Sequence, residues 1–148
     1  MSGFPVARTH IQYLSSGEQT MIRGVIWRPV QTTPRGVVQL CHGMGGYTGR
    51  YDEFARFLAS HGFVVCGNDH LGHGMTAIHP DDLGYFAEKD GYAILIEDVY
   101  LMTEIMRERL PHAPYFLFGH SMGSLVARLY AEKYGDRLSG LLLSGTSG

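Results

Sequence analysis

Residues 115–124 read Tyr115-Phe116-Leu117-Phe118-Gly119-His120-Ser121-Met122-Gly123-Ser124, and their order decides the fold. Four consecutive apolar residues make a short buried-strand pattern, and the stretch from Ser124 to Tyr134 has a helical pattern with Gly135 as its stop. Between them lies Gly119-His120-Ser121-Met122-Gly123, a G-x-S-x-G at a strand-to-helix turn. A serine in so sharp a turn must take strained backbone angles, and the flanking glycines let strand and helix pass without side-chain clashes. The hydroxyl is then presented above the sheet, and the helix aims its N-terminal amides and dipole at the same place, favouring an oxyanion. Ser121 is therefore the candidate nucleophile.

A second glycine loop lies upstream. Gly36 to Leu40 (GVVQL) is a short buried-strand pattern that runs into His42-Gly43-Met44-Gly45-Gly46. Parallel sheets place their ligand crevices at such strand ends, so the two loops are expected to converge. The backbone N–H groups of Met44 and Met122 are then the expected pair of oxyanion donors.

Between these loops, Tyr51 to Ser60 carries Phe54, Phe57 and Leu58 at helical spacing, with His61-Gly62 as its stop. Phe63 to Cys66 (FVVC) is the next strand and completes a βαβ crossover. Nearer the N-terminus, His10–Leu14 and Thr20–Trp27 flank Ser15-Ser16-Gly17, the pattern of an antiparallel hairpin. A polar, Gly- and His-rich stretch runs from Asn68 to about Asp90. A helix follows it, with Leu95, Val99, Met102 and Met106 in one stripe and Glu104, Arg107 and Glu108 mostly outside it. Pro111 ends that helix, and Leu138–Leu143 reads as a last strand.

The 148 residues fit a single domain. A formal charge of −2 with no basic stripe argues against nucleic acid as a partner. Glycine, at 20 residues, is about twice as frequent as usual and is clustered between apolar runs, as expected of tight functional turns. Cys41 and Cys66 each lie in or beside an apolar segment and read as buried free thiols. Met1 to Thr9 shows no secretory signal, and no apolar run approaches the ~20 residues that span a bilayer. The expectation is a soluble, cytoplasmic protein with no transmembrane segment.

HGMGG (42–46), NDHLGHG (68–74) and GHSMGS (119–124), in this order and context, resemble the monoacylglycerol lipase, lysophospholipase and serine aminopeptidase-like branch of the α/β-hydrolases. The resemblance covers essentially the whole chain. It implies a mostly parallel sheet of about six strands, with an antiparallel first hairpin and flanking helices. It also implies a serine carboxylic ester hydrolase working through an acyl-enzyme on small lipid esters such as monoacylglycerols or lysophospholipids, with no cofactor and no metal. Within the branch a serine aminopeptidase or amidase is the alternative. The loop matching Asp69–Gly74 follows the fourth strand and lines the site's rim, so Asp69, His70 and His73 are expected there. Tyr47, Tyr85, Phe86, Met44, Met75 and Met122 are candidates either for an acyl pocket or for ordinary core.

The family order is Ser, then Asp or Glu, then His. Only 27 residues follow Ser121 (148 minus 121), they contain no His, and their acids, Glu132 and Asp136, fall on or just after the elbow helix. The resemblance thus implies that the triad acid and base, the last strands and the lid are absent from this chain, about half the domain. Alone it is expected to be nearly inert, since a serine hydroxyl without a base is a weak nucleophile. A non-catalytic or fragment-complementing scaffold is the rival reading. The apolar last strand is expected to invite self-association or a complementing chain.

Overall fold

The computed structural model describes residues 3–148. The strands are β1 (Val6–Leu14), β2 (Met21–Pro29), β3 (Gly36–Cys41), β4 (Phe63–Asn68), β5 (Tyr115–His120) and β6 (Gly140–Ser144). The helices are α1 (Asp52–Ser60), α2 (Gly91–Arg109) and α3 (Met122–Tyr134). One six-stranded sheet runs in the order β1-β2-β4-β3-β5-β6. The hairpin β1/β2 and the β2/β4 pair are antiparallel, while β3/β4, β3/β5 and β5/β6 are parallel. The expected antiparallel opening and parallel remainder are both present.

Alternation along the strands splits the core between the two faces. Val25, Trp27, Leu40 and Val65 pack on α1 through Ala55 and Ala59. On the other face, Cys41 and Leu117 pack with Leu95 and Val99 of α2 and with Val126, Ala127 and Tyr130 of α3. The stripe expected on α2 is the buried one: Leu95, Val99 and Met102 are fully buried and Met106 nearly so. On α1, of the three large apolar residues at helical spacing, only Leu58 packs against the core. Phe54 and Phe57 are exposed, and the helix approaches the sheet through two alanines. Small residues let α1 sit close on Trp27, whose indole N–H donates to Asp52 Oδ1 at 2.8 Å.

Buried polar side chains tie α2 to the sheet. Gln39 of β3 donates to Val99 O at 2.9 Å and accepts from Thr103 Oγ1 at 2.7 Å and from the Tyr115 hydroxyl. Tyr130 of α3 adds a bond to Thr103 Oγ1 at 2.9 Å. Asp98 accepts from Ser15 Oγ at 2.8 Å and Ser16 N at 2.6 Å, pinning the β1–β2 turn to α2. Cys41 and Cys66 are buried free thiols, each pushed up to about 12 by burial, and so are chemically quiet.

The chain leaves β3 towards the α1 face and leaves β5 into α3 on the opposite face. β3 and β5 are neighbours, with Cys41 paired to Gly119. This is a topological switch point, the place where an open α/β sheet leaves a crevice at its strand ends. No described helix is long and apolar enough to cross a membrane.

Candidate active site

The turn after β5 has the geometry its sequence demands. Ser121 sits at φ 55° and ψ −122°, a left-handed backbone that a non-glycine residue adopts only under strain. It is held there by its own N–H, which donates to Ser144 O at 2.9 Å, and by its carbonyl, which accepts from Ser124 N at 2.9 Å and Ser124 Oγ at 2.5 Å. The flanking glycines are sterically obligatory. A Cβ at Gly119 would lie 2.4 Å from Gly123 O, and one at Gly123 would lie 2.0 Å from Cys41 O and 2.6 Å from His42 O. Gly123 is thus where the elbow and the upstream loop touch.

The upstream loop closes against the serine. A Cβ at Gly43 would meet Ser121 Cβ at 3.1 Å and Met122 N at 3.6 Å. Met122 opens α3, so its N–H is among the helix amides that have no intrahelical acceptor. Met44 is exposed on the same loop. Neither residue's N–H is spent on an acceptor among the described residues.

Three histidines brace this loop from behind. His70 N–H donates to His42 Nε2 at 3.0 Å, which makes that nitrogen the acceptor, so His42 Nδ1–H donates to Gly43 O at 2.9 Å. His70 Nε2–H returns a bond to His42 O at 2.9 Å. His73 Nε2 accepts from Gly45 N at 3.0 Å, while its Nδ1–H donates to Leu71 O at 3.0 Å. Because each accepts a hydrogen bond at Nε2, the His42 and His73 rings carry their proton on Nδ1. Burial holds His42 down to about 4, and burial together with the neighbouring His42 holds His70 well below its ordinary value. Asp69 takes Thr48 N at 2.7 Å and Met75 N at 2.8 Å, fixing the two segments that flank the cluster.

These contacts correct the rim position expected for Asp69, His70 and His73. They are 3 %, 0 % and 4 % exposed: His70 and His73 bond the backbone of the glycine loop from the inside, and Asp69 bonds the backbone N–H groups of Thr48 and Met75. His42 also turns inward, at 1 % exposure. A motif read along the chain shows which loop a residue belongs to and leaves open which side of that loop it occupies.

In front of Ser121 opens a cleft of about 650 Å³, lined by Gly43, Met44, Arg50, Tyr51, Phe54, Phe118, His120 and Ser144 among others. Of the residues considered for an acyl pocket, only Met44 reaches it. Met122 is buried, and Tyr85 and Phe86 line a different cleft beside the β1–β2 turn. Met75 and Tyr47 are exposed, the latter beneath the Arg50 guanidinium at 5.2 Å. Arg50, Phe54 and Phe118 carried no local signal of a site role. The aromatic wall forms only when α1 turns Phe54 outward onto Phe118, with ring centroids 5.7 Å apart. His120 hydrogen-bonds Ser144 Oγ at 3.1 Å, and among the described residues no imidazole is bonded to the Ser121 hydroxyl. Glu132 and Asp136 are exposed and take no part.

A strained serine after β5, facing a glycine loop after β3 across a switch point, defines an α/β-hydrolase. Residues 32–147 match the family of serine aminopeptidases S33, and the chain belongs to that family. It is 32% identical over 117 residues to monoglyceride lipase of Homo sapiens, covering 79% of this chain and 36% of that protein. It is 34% identical over 123 residues to monoacylglycerol lipase of Mycolicibacterium smegmatis, covering 81% and 40%. Among solved structures, a thermostable carboxyl esterase from Bacillus coagulans superposes with a TM-score of 0.90 at 40% identity, covering 96% of this chain and 45% of that one. A soluble variant of monoglyceride lipase from Saccharomyces cerevisiae superposes at 0.76 with 26% identity, covering 94% and 44%. The chain thus spans between about a third and just under half of the length of these relatives.

Proposed function

We propose that this chain carries the nucleophile and oxyanion hole of a serine carboxylic ester hydrolase acting on monoacylglycerol-like or lysophospholipid-like amphiphiles. The observation that carries the reading is Ser121, strained into an elbow that packs against Gly43 and shares one cleft with Gly43 and Met44. In the reaction, a base takes the Oγ proton and the oxygen attacks the ester carbonyl carbon. The N–H groups of Met44 and Met122 take the charge that develops on the carbonyl oxygen, the alcohol departs, and water releases the acid from Ser121. Phe54, Phe118 and Met44 suit an acyl chain. No carboxylate lines the cleft and Arg50 does, which disfavours the ammonium of a peptide N-terminus and so favours the ester over the aminopeptidase reading.

Among the described residues no imidazole is bonded to the Ser121 hydroxyl, so these 148 residues are expected to turn over little by themselves. Exogenous imidazole supplies the missing base and makes a direct test. A fluorophosphonate probe is expected to label Ser121 slowly, to label it faster as free-base imidazole is added, and to leave Ser121→Ala unlabelled. Labelling at another residue, or equal labelling of Ser121→Ala, would refute the proposal. Unlabelled wild type at high imidazole would support the scaffold reading.

A further inference from the structure

The glycine loop contains a turn whose type can be assigned. Gly46 N donates to Gly43 O at 3.0 Å, so Met44 and Gly45 are its central residues. Gly45 has φ +71°, and Met44 is not among the residues with positive φ. A positive φ at the third position alone defines a type II turn. Types I and II differ by a flip of the central peptide, here Met44 C=O with Gly45 N–H. The flip moves ψ of the second residue by about 150° and reverses the sign of φ at the third. Glycine at 45 permits both states, because without a Cβ it takes positive and negative φ about equally. Residue type therefore leaves the flip open.

His73 supplies the missing constraint. Its Nε2 accepts the Gly45 N–H, the donor of the peptide that would flip, at 3.0 Å. Its own ring cannot turn to follow. Nδ1–H is committed to Leu71 O at 3.0 Å, the ring stacks on Phe86 with centroids 5.9 Å apart, and the side chain is 4 % exposed. Only the Nδ1–H tautomer satisfies both bonds. In the flipped turn the Met44 carbonyl would face the bare Nε2, acceptor against acceptor. We propose that His73 is a positioning residue that locks the Met44–Gly45 peptide in its type II orientation. It thereby sets the direction of the loop segment that offers Met44 N–H to Ser121. The second step rests on the proposed ester chemistry, and the lock itself does not.

Two variants separate this role from simple space filling. Asn at 73 places an amide N–H where Nδ1 is and keeps the Leu71 contact but has nothing that reaches Gly45. Gln reaches the position of Nε2 and can accept. In the ¹⁵N-labelled chain, a coupling across the hydrogen bond between Gly45 N and His73 Nε2 is expected, with the His73 nitrogens in the Nδ1–H pattern. Gly45 amide exchange should accelerate about tenfold or more in His73→Asn and stay within about threefold of wild type in His73→Gln. Imidazole-assisted phosphonylation of Ser121 should fall about tenfold in the Asn variant and recover in the Gln variant. Absence of the coupling with an Nε2–H tautomer, or identical exchange in the two variants, overturns the lock. Coupling and exchange as expected, with no Ser121 labelling in any protein, sustain the lock and refute the ester chemistry instead.

Discussion

Acidification should weaken this protein through His42 and His70, the two buried imidazoles behind the glycine loop with lowered values. Burial lowers His42 from 6.5 to about 4 and lowers His70 in the same direction. The unfolded chain takes a proton at each near its ordinary value, while the folded chain refuses it until lower pH. In that window the unfolded state binds more protons, so stability falls as pH falls, and the part owed to His42 levels off below about 4. Going from about pH 7.5 to about pH 5, proton uptake by unfolded His42 alone removes about 2 kcal/mol, at roughly 1.4 kcal/mol per unit. His70 adds to the loss. Against a total stability of about 5–15 kcal/mol that is a large fraction. Asp98, raised chiefly by burial, acts with the opposite sign, because its folded carboxyl takes up the proton first and acid relieves it. Urea denaturation at several pH values gives the slope. His42→Asn keeps a donor to Gly43 O and deletes the titration, so its stability should start lower and fall by about 2 kcal/mol less across the same window. A wild-type stability flat across this range, or an unchanged slope in His42→Asn, would refute the reasoning.

Gly123→Ala puts a Cβ 2.0 Å from Cys41 O and should prise the elbow from the glycine loop. A loss of about 3 kcal/mol or more is expected by thermal melting, with Ser121 labelling lost as well. Gln39→Leu leaves Val99 O, the Thr103 hydroxyl and the Tyr115 hydroxyl short of a partner, and should cost about 3 kcal/mol in urea denaturation with little effect on the cleft. Strand β6 is a sheet edge that exposes Leu141, Leu142 and Leu143. Leu142→Lys should lower concentration-dependent association in sedimentation velocity, and an unchanged profile would show that the edge does not pair.

The histidine cluster shows why the site was only partly legible beforehand. The G-x-S-x-G turn, the glycine loop after β3, the crossover through α1 and the buried stripe of α2 are local patterns, set by periodicity and by where glycine must stand. Each could be read from a dozen neighbouring residues, and each is where the chain suggests. The order β1-β2-β4-β3-β5-β6 could not be read in this way, because β3 and β5 are joined through two crossovers and meet only when the sheet assembles. The inward turn of His70 and His73, and the exposure of Phe54 where α1 leans on Ala55 and Ala59, follow from that assembly. Which face of a loop or helix is buried depends on residues distant in the chain. By itself, then, the amino-acid order determines that a strained serine and a glycine loop exist and should converge; that His70 and His73 turn inward and brace the loop was decided only by the packing of strands far apart in sequence.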